Sequence, residues 1–304
     1  MAQTSRAAFL TALRCGEYDK VDCIIRHLHV ITGPFDAEII DALPRSVRVI
    51  GNVGAGYDQI DVEACTRRGI YVTHTPDAVR DATAEAAVFL VLGCVRKFGA
   101  GSNKLLRNGW LDGIAPGRSL CALTVGILGL GSVGTAISER LAPFGCKVQY
   151  HNRKEVNGSR LKYIPTMDAL LASSDVVIIA VPLNAQTRHL INCSALSKMK
   201  KGSWLINVAR GPVVHEEALV GVLRSGHLAG AGLDVFEHEP TVHPMLLQLA
   251  KEQGITNDCQ VVFLPHMGTH TTDAIKLMEE TALKNTLNVY NGRMTVTLTP
   301  FRKC

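Results

Sequence analysis

The sequence predicts an α/β protein in which a doubly wound parallel sheet is joined to a second, smaller α/β unit. Three observations carry that expectation. From about residue 124 onward, short β-branched runs alternate with helical stretches, the pattern of strand, crossover helix and parallel strand. The first 80 residues repeat the alternation more weakly. At 129–134 a glycine-rich turn, GLGSVG, stands between a strand pattern and a helix pattern, where a parallel sheet opens its ligand crevice.

In chain order, the smaller unit starts with the helix-like SRAAFLTALRCG and continues through strand patterns VDCIIR (21–26), VRVIGN (47–52) and GIYVTH (69–74). DAEIIDAL and DVEACTRR supply helices between them. DATAEAAVFLVLGCVRKF (81–98) is apolar on most sides and predicts a buried helix at the domain junction. Residues 99–120 read as a connecting helix and loop that would make a contact between subunits, with Trp110 as the anchor buried in that contact. Six strands follow: TVGILGL (124–130), KVQYH (147–151), DVVIIAV (175–181), SWLINV (203–208), AGLDVF (231–236) and CQVVFL (259–264). A last helical pattern, 269–292, ends at Asn291-Gly292 and can cross back to the first unit. The expected domains are thus 1–95 completed by 271–304, and 96–270.

Composition narrows the class. A length of 304 residues with 47% hydrophobic content suits two packed cores. The apolar runs at 86–95 and 176–181 fall short of the roughly 20 residues that a bilayer span needs. No secretory leader opens the chain and Arg302, Lys303 and Cys304 match no lipidation or peroxisomal signal, so a cytoplasmic, membrane-free protein is expected. Nine scattered cysteines without a C-x-x-C pair predict reduced thiols and no metal site. A net charge of +5 without a Lys/Arg run argues against nucleic acid and suits small anionic ligands.

The glycine turn carries the first chemical reading. Gly129, Leu130, Gly131, Ser132, Val133 and Gly134 follow a strand and open a helix, the setting in which glycines allow a tight turn and close approach of a pyrophosphate. This makes the larger unit a Rossmann-type NAD(P) domain. The next strand ends in Tyr150-His151-Asn152-Arg153, with no acidic residue until Glu155. Without a carboxylate to repel a 2′-phosphate, and with the Arg153 fork to bind it, NADPH preference is expected, His151 and Asn152 assisting.

Ionisable residues also follow three successive strands, in NVARG (207–211), DVFEHEP (234–240) and LPHMGTH (264–270). In a sheet of order 3-2-1-4-5-6, strands 4, 5 and 6 are neighbours whose carboxyl ends share one crevice. Arg210, Glu239 and His266 are therefore expected to converge. Singly they read as a surface ion pair, a helix-start acid and a core histidine; jointly they suit reduction of a 2-keto acid. His266 would act as acid-base with Glu239 on its other ring nitrogen, and Arg210 would grip the carboxylate. His74, His151, His238, His243 and His270 read as surface or packing residues, and Gly268 between His266 and His270 argues against zinc.

With these motifs in place, the chain resembles the D-isomer-specific 2-hydroxyacid dehydrogenase family, and within it the glyoxylate/hydroxypyruvate reductase-like branch. The segments GAGYDQIDVEA, DATAE, GILGLGSVG, VPLNAQTRHLIN, NVARGPVV, GLDVFEHEP and LPHMGT occur in family order. The resemblance implies a flavodoxin-like substrate domain beside the nucleotide domain, lacking its first strand because the usual first strand and helix would precede this chain's start. It implies that Val53, Gly54 and Ala55 offer backbone amides to the substrate carboxylate. It places Thr83, Val181, Pro182, Thr187, Val208, Ala209, Asp234, His266 and Gly268 along the nucleotide, and it implies a homodimer paired around 81–120. Other readings fit the same residues: a non-enzymatic NAD(P)-sensing binding protein, a shortened inactive product, phosphoglycerate dehydrogenase chemistry, or a bulkier 2-keto acid.

Overall fold

The structure, a computed structural model, describes residues 5–27, 32–252 and 259–293. The chain divides into two compact units, one taking the chain up to Val79 and from Thr271 on, the other spanning Arg80–His270.

In the first unit β1 (Cys23–Arg26), β2 (Val49–Asn52) and β3 (Tyr71–Thr73) form a parallel sheet in that order. Ile50 pairs with Ile24 on one side and Val72 on the other. These are the three strand patterns of the sequence. Each crossover helix starts at an aspartate that accepts an otherwise unsatisfied first-turn amide: Asp36 from Ile39 at 3.2 Å and Asp61 from Ala64 at 2.8 Å. The helix Thr272–Tyr290 returns to this sheet, where a Cβ on Gly51 of β2 would run into the Thr286 hydroxyl. Residues 294–304, expected in the same unit, lie outside the described residues.

The second unit holds seven parallel strands: β4 (Thr124–Leu128), β5 (Lys147–His151), β6 (Lys162–Tyr163), β7 (Val176–Ile179), β8 (Ser203–Asn207), β9 (Leu228–Leu233) and β10 (Gln260–Phe263). Their order is β10-β9-β8-β7-β4-β5-β6. Six were expected. The extra one, β6, is two residues long and carries no alternation for the sequence to reveal. It takes the outer place beyond β5, so DVVIIAV becomes the fourth strand of this sheet and lies against β4. All four residues of β7 are fully buried, as in a parallel strand covered on both faces.

The expected domain boundary at 95/96 moves to 79/80. The reason is packing. The helix Arg80–Val95 buries Ala84, Ala87, Leu90, Val91 and Cys94 against the second sheet, where Gly232 of β9 would place a Cβ 2.9 Å from that of Leu90 and Gly93 faces Val262 of β10. Missing side chains at Gly93 and Gly232 let helix and sheet come this close. No helix among the described residues is long and apolar enough to cross a membrane.

Candidate active site

Chain direction across the second sheet reverses between β4 and β7, which leaves a crevice at the carboxyl ends of the strands. The glycine turn lies there. Gly129 has φ 104°, and a Cβ on it would stand 2.8 Å from the Ala180 carbonyl oxygen. A Cβ on Gly134 would collide with the Gly129 carbonyl. Gly131 differs: its added Cβ would meet nothing within 4 Å. Two of the glycines thus serve the fold and the third keeps space open at the N-terminus of the helix Ser132–Leu141. That helix's first amides lack intrahelical acceptors, so the residues fit a dinucleotide pyrophosphate.

The three residues expected at the ribose have different fates. Asn152 accepts the Leu130 N–H through Oδ1 at 2.7 Å, and its Nδ2 faces the Leu130 carbonyl at 3.5 Å, so its amide braces the glycine turn. His151 is tied by Nδ1 to the Ile164 carbonyl at 2.8 Å and stacks on Tyr163. Arg153 is exposed and forms no hydrogen bond or ion pair among the described residues.

On the other side of the crevice β8, β9 and β10 are adjacent, and the loops after them carry Arg210, Glu239 and His266. Asn207, at the end of β8 and only 1% exposed, shapes the first loop: its side chain accepts from Ala209 N–H and donates to the Arg210 carbonyl, both at 3.0 Å. A Cβ on Gly211 would overlap the Phe236 carbonyl, so the first two loops lie in direct backbone contact. The buried Asp234 holds the third loop by accepting from Met267 N–H at 2.8 Å and Gly268 N–H at 2.9 Å. A side chain at 268 would press on that carboxylate, its Cβ 2.7 Å from Oδ2. His266 itself adopts left-handed backbone, φ 52°, a conformation uncommon outside glycine.

The result is a close pair. His266 Nδ1 lies 2.7 Å from Glu239 Oε2, while Glu239 Oε1 accepts the Phe236 N–H at 2.9 Å. Burial pushes the Glu239 carboxyl up, but the His266 bond and charge, the Phe236 amide and Arg210 together outweigh it and hold the group below its ordinary value. An ionised carboxylate only accepts, so His266 carries a proton on Nδ1 and leaves Nε2 for chemistry. Arg210 donates through Nη1 to the Ala209 carbonyl at 2.9 Å. Burial drives Asp234 the opposite way, above the ordinary carboxylate value.

Among the other nucleotide candidates of this unit, Thr83 and Val208 are buried, and Val181 and Ala209 are half-buried. Thr187 closes the turn that follows β7, donating to the Pro182 carbonyl at 2.6 Å and accepting the Asn184 N–H at 2.8 Å. In the first unit, Gly54 has φ 121°, but the loop is partly committed. Val53 donates its N–H to the Arg26 carbonyl at 2.9 Å and Gly54 to the Thr75 hydroxyl at 2.8 Å. Of the three amides expected to bind a carboxylate only that of Ala55 stays uncommitted among the described residues, joined by that of Gly56. Sequence reasoning passed over Asn207 and Thr75, although Asn207 stands inside the NVARG motif. Among the described residues no group of three or more His, Cys, Asp or Glu is arranged to hold a metal ion.

Comparison with known proteins agrees with this architecture. Residues 88–268 match the family described as D-isomer specific 2-hydroxyacid dehydrogenase, NAD binding domain. The 4-methyl-2-oxopentanoate reductase A of Aspergillus oryzae is 41% identical over 98% of this chain and 89% of its own length. The crystal structure of a glyoxylate reductase from Paecilomyes thermophila superposes with a TM-score of 0.90 at 40% identity, covering 97% of this chain and 88% of that one. An NADPH-dependent glyoxylate/hydroxypyruvate reductase of Sinorhizobium meliloti, solved with NADP and malonate, gives a TM-score of 0.84 at 34% identity, covering 95% of this chain and 88% of that one. With a Rossmann-type sheet, a glycine turn that fits a dinucleotide and a histidine-carboxylate pair on the same edge, this chain belongs to the D-isomer specific 2-hydroxyacid dehydrogenases, a family of NAD(P)-dependent oxidoreductases.

Proposed function

We propose that the chain reduces small 2-keto acids of the glyoxylate and hydroxypyruvate type to D-2-hydroxy acids, preferring NADPH to NADH. The observation that carries this reading is the 2.7 Å bond from His266 to Glu239. A bound reduced nicotinamide supplies the hydride. The protein's share is to place a proton and hold a carboxylate. Glu239 orients the imidazole through Nδ1, so that a proton on Nε2 polarises the keto oxygen and passes to it as negative charge develops there. Arg210 offers two parallel donors to the substrate carboxylate. Arg153, exposed and unengaged among the described residues, is assigned to the 2′-phosphate, in keeping with the NADP held by the Sinorhizobium relative.

The Aspergillus relative's name points to a branched 2-keto acid, which makes 4-methyl-2-oxopentanoate the competing substrate. Initial rates with glyoxylate, hydroxypyruvate and 4-methyl-2-oxopentanoate, each with NADPH and NADH, test the proposal. The highest kcat/KM is expected for one of the two small acids with NADPH. A higher value for the branched acid overturns the substrate assignment, and equal use of NADH overturns the cofactor assignment.

A homodimer completes the reading. Phe89, Phe98, Leu105, Leu106, Trp110 and Leu111 are all more than half exposed, an apolar surface that a second copy of this chain would cover. Trp110, the expected anchor of that contact, is 70% exposed in the single chain, where a partner copy would cover it. Eight described cysteines are unpaired thiols, which supports a reducing, cytoplasmic setting.

A further inference from the structure

Glu237 stands two residues before Glu239 in the loop after β9, and three segments meet on it. Its N–H donates to Glu216 Oε1 at 2.7 Å, and Glu216 returns the bond, its own N–H reaching Glu237 Oε2 at 3.1 Å. The other carboxylate oxygen of Glu237 takes His189 Nε2 at 2.5 Å. His189 sits in left-handed backbone, φ 50°, and its N–H donates to the Pro212 carbonyl at 2.8 Å. The imidazole also lies edge-on to His215, ring centres 4.8 Å apart.

This arrangement is expensive. Two carboxylates share a buried place, the Glu237 side chain only 10% exposed and Glu216 4%, where apolar side chains of similar volume would pack with less desolvation penalty. Burial pushes Glu216 above its ordinary value. For Glu237, burial is outweighed by the Glu216 amide and His189, which hold it below. The segments so joined are those that the reaction uses. His189 follows the turn of Pro182 and Thr187, Glu216 lies downstream of Arg210 and begins the helix Glu216–Arg224, and Glu237 leads into Glu239.

We propose that Glu237 is a positioning residue: tied to His189 and Glu216, it sets the loop after β9 so that Glu239 reaches His266. The inference rests on the proposed acid-base role of that pair. A brace needed only for stability would change the melting temperature and leave turnover per folded molecule alone. A positioning residue acts on kcat, because it governs the orientation of the proton donor and makes no contact with substrate.

The test compares wild type, Glu237→Ala, Glu237→Gln, His189→Ala and His266→Ala in kcat, KM for glyoxylate, the pH-rate profile and the thermal melt. Glu237→Ala is expected to lower kcat about tenfold or more in folded protein, with KM changed less than about twofold and one limb of the pH profile displaced. Glu237→Gln, which keeps an acceptor oxygen, is expected to recover most of kcat. If Glu237→Ala does not fold, His189→Ala carries the test and must show the same loss confined to kcat. Unchanged kcat and pH profile in either folded variant, or a loss that follows only the folded fraction, overturns the proposal. An active wild type silenced by His266→Ala but indifferent to Glu237 sinks this inference alone, whereas a wild type without turnover sinks the underlying reading as well.

Discussion

Nδ1 of His266 bonds Oε2 of Glu239 at 2.7 Å across 27 positions of sequence. If Nε2 is the proton donor, His266→Ala should lower kcat by about 10²–10⁴, the usual range for one general acid. Glu239→Gln should cost less, since an amide oxygen can still accept the Nδ1 bond and orient the ring. Steady-state oxidation of NADPH measures both. Near-normal turnover in His266→Ala would remove the acid-base assignment.

Acid should weaken this pair. Glu239 is held below its ordinary value in the folded protein. Its ionised form thus contributes stability that is fully present above the unfolded-state value and is lost as pH falls through the folded value. Melting temperatures measured from neutral pH downward should fall more steeply for wild type than for Glu239→Gln. Parallel curves would mean that the carboxylate gains nothing from His266.

At the ribose, charge should decide the cofactor. Arg153→Ala is expected to raise KM for NADPH about tenfold or more and to leave KM for NADH near wild type, as for loss of a charge-assisted bond worth about 1.5–3 kcal/mol. Asn152→Asp keeps an acceptor for the Leu130 N–H but adds a charge that repels a 2′-phosphate, so it should move preference toward NADH. Equal effects on both cofactors would assign Arg153 another role.

Two glycines of one turn should respond oppositely. Gly131→Val fills space that the fold leaves open, so the melting temperature without ligand should hold while stabilisation by NADPH disappears. Gly134→Ala drives a methyl into the Gly129 carbonyl and should destabilise the protein itself. Thermal melts with and without NADPH separate the two.

The exposed apolar surface should set the oligomeric state. Leu106 is 81% exposed and Trp110 70%, so replacing both with glutamate costs the folded chain little and should turn a dimer into a monomer in sedimentation. A wild type that sediments as a monomer would leave the surface without its assigned partner.

Much of this was legible because parallel strands and their turns leave local signals. The smaller sheet's three strands and the long strands of the larger sheet announced themselves by β-branched runs, and DAEIIDAL and DVEACTRR announced the helices between them. Other features carried no such signal. β6 is too short to show a period. The helix Arg80–Val95 looked like a junction element because its apolar residues surround it, and only the glycines opposite it reveal which sheet it covers. Asn152 read as a phosphate contact from its place at a strand end, and only the fold shows that its amide also braces Leu130. The amides of Val53 and Gly54 read as free from a family motif, and acceptors distant in sequence take them.

By itself the sequence determined the order of elements, the glycine turn and the identity of the guanidinium, carboxylate and imidazole that follow three strands, because period, turn chemistry and residue type are local properties. Tertiary structure alone decided which polar groups remain free to act. A hydrogen bond made inside the protein removes a donor or acceptor from catalysis, and whether it is made depends on residues tens of positions away that only folding brings within 3 Å.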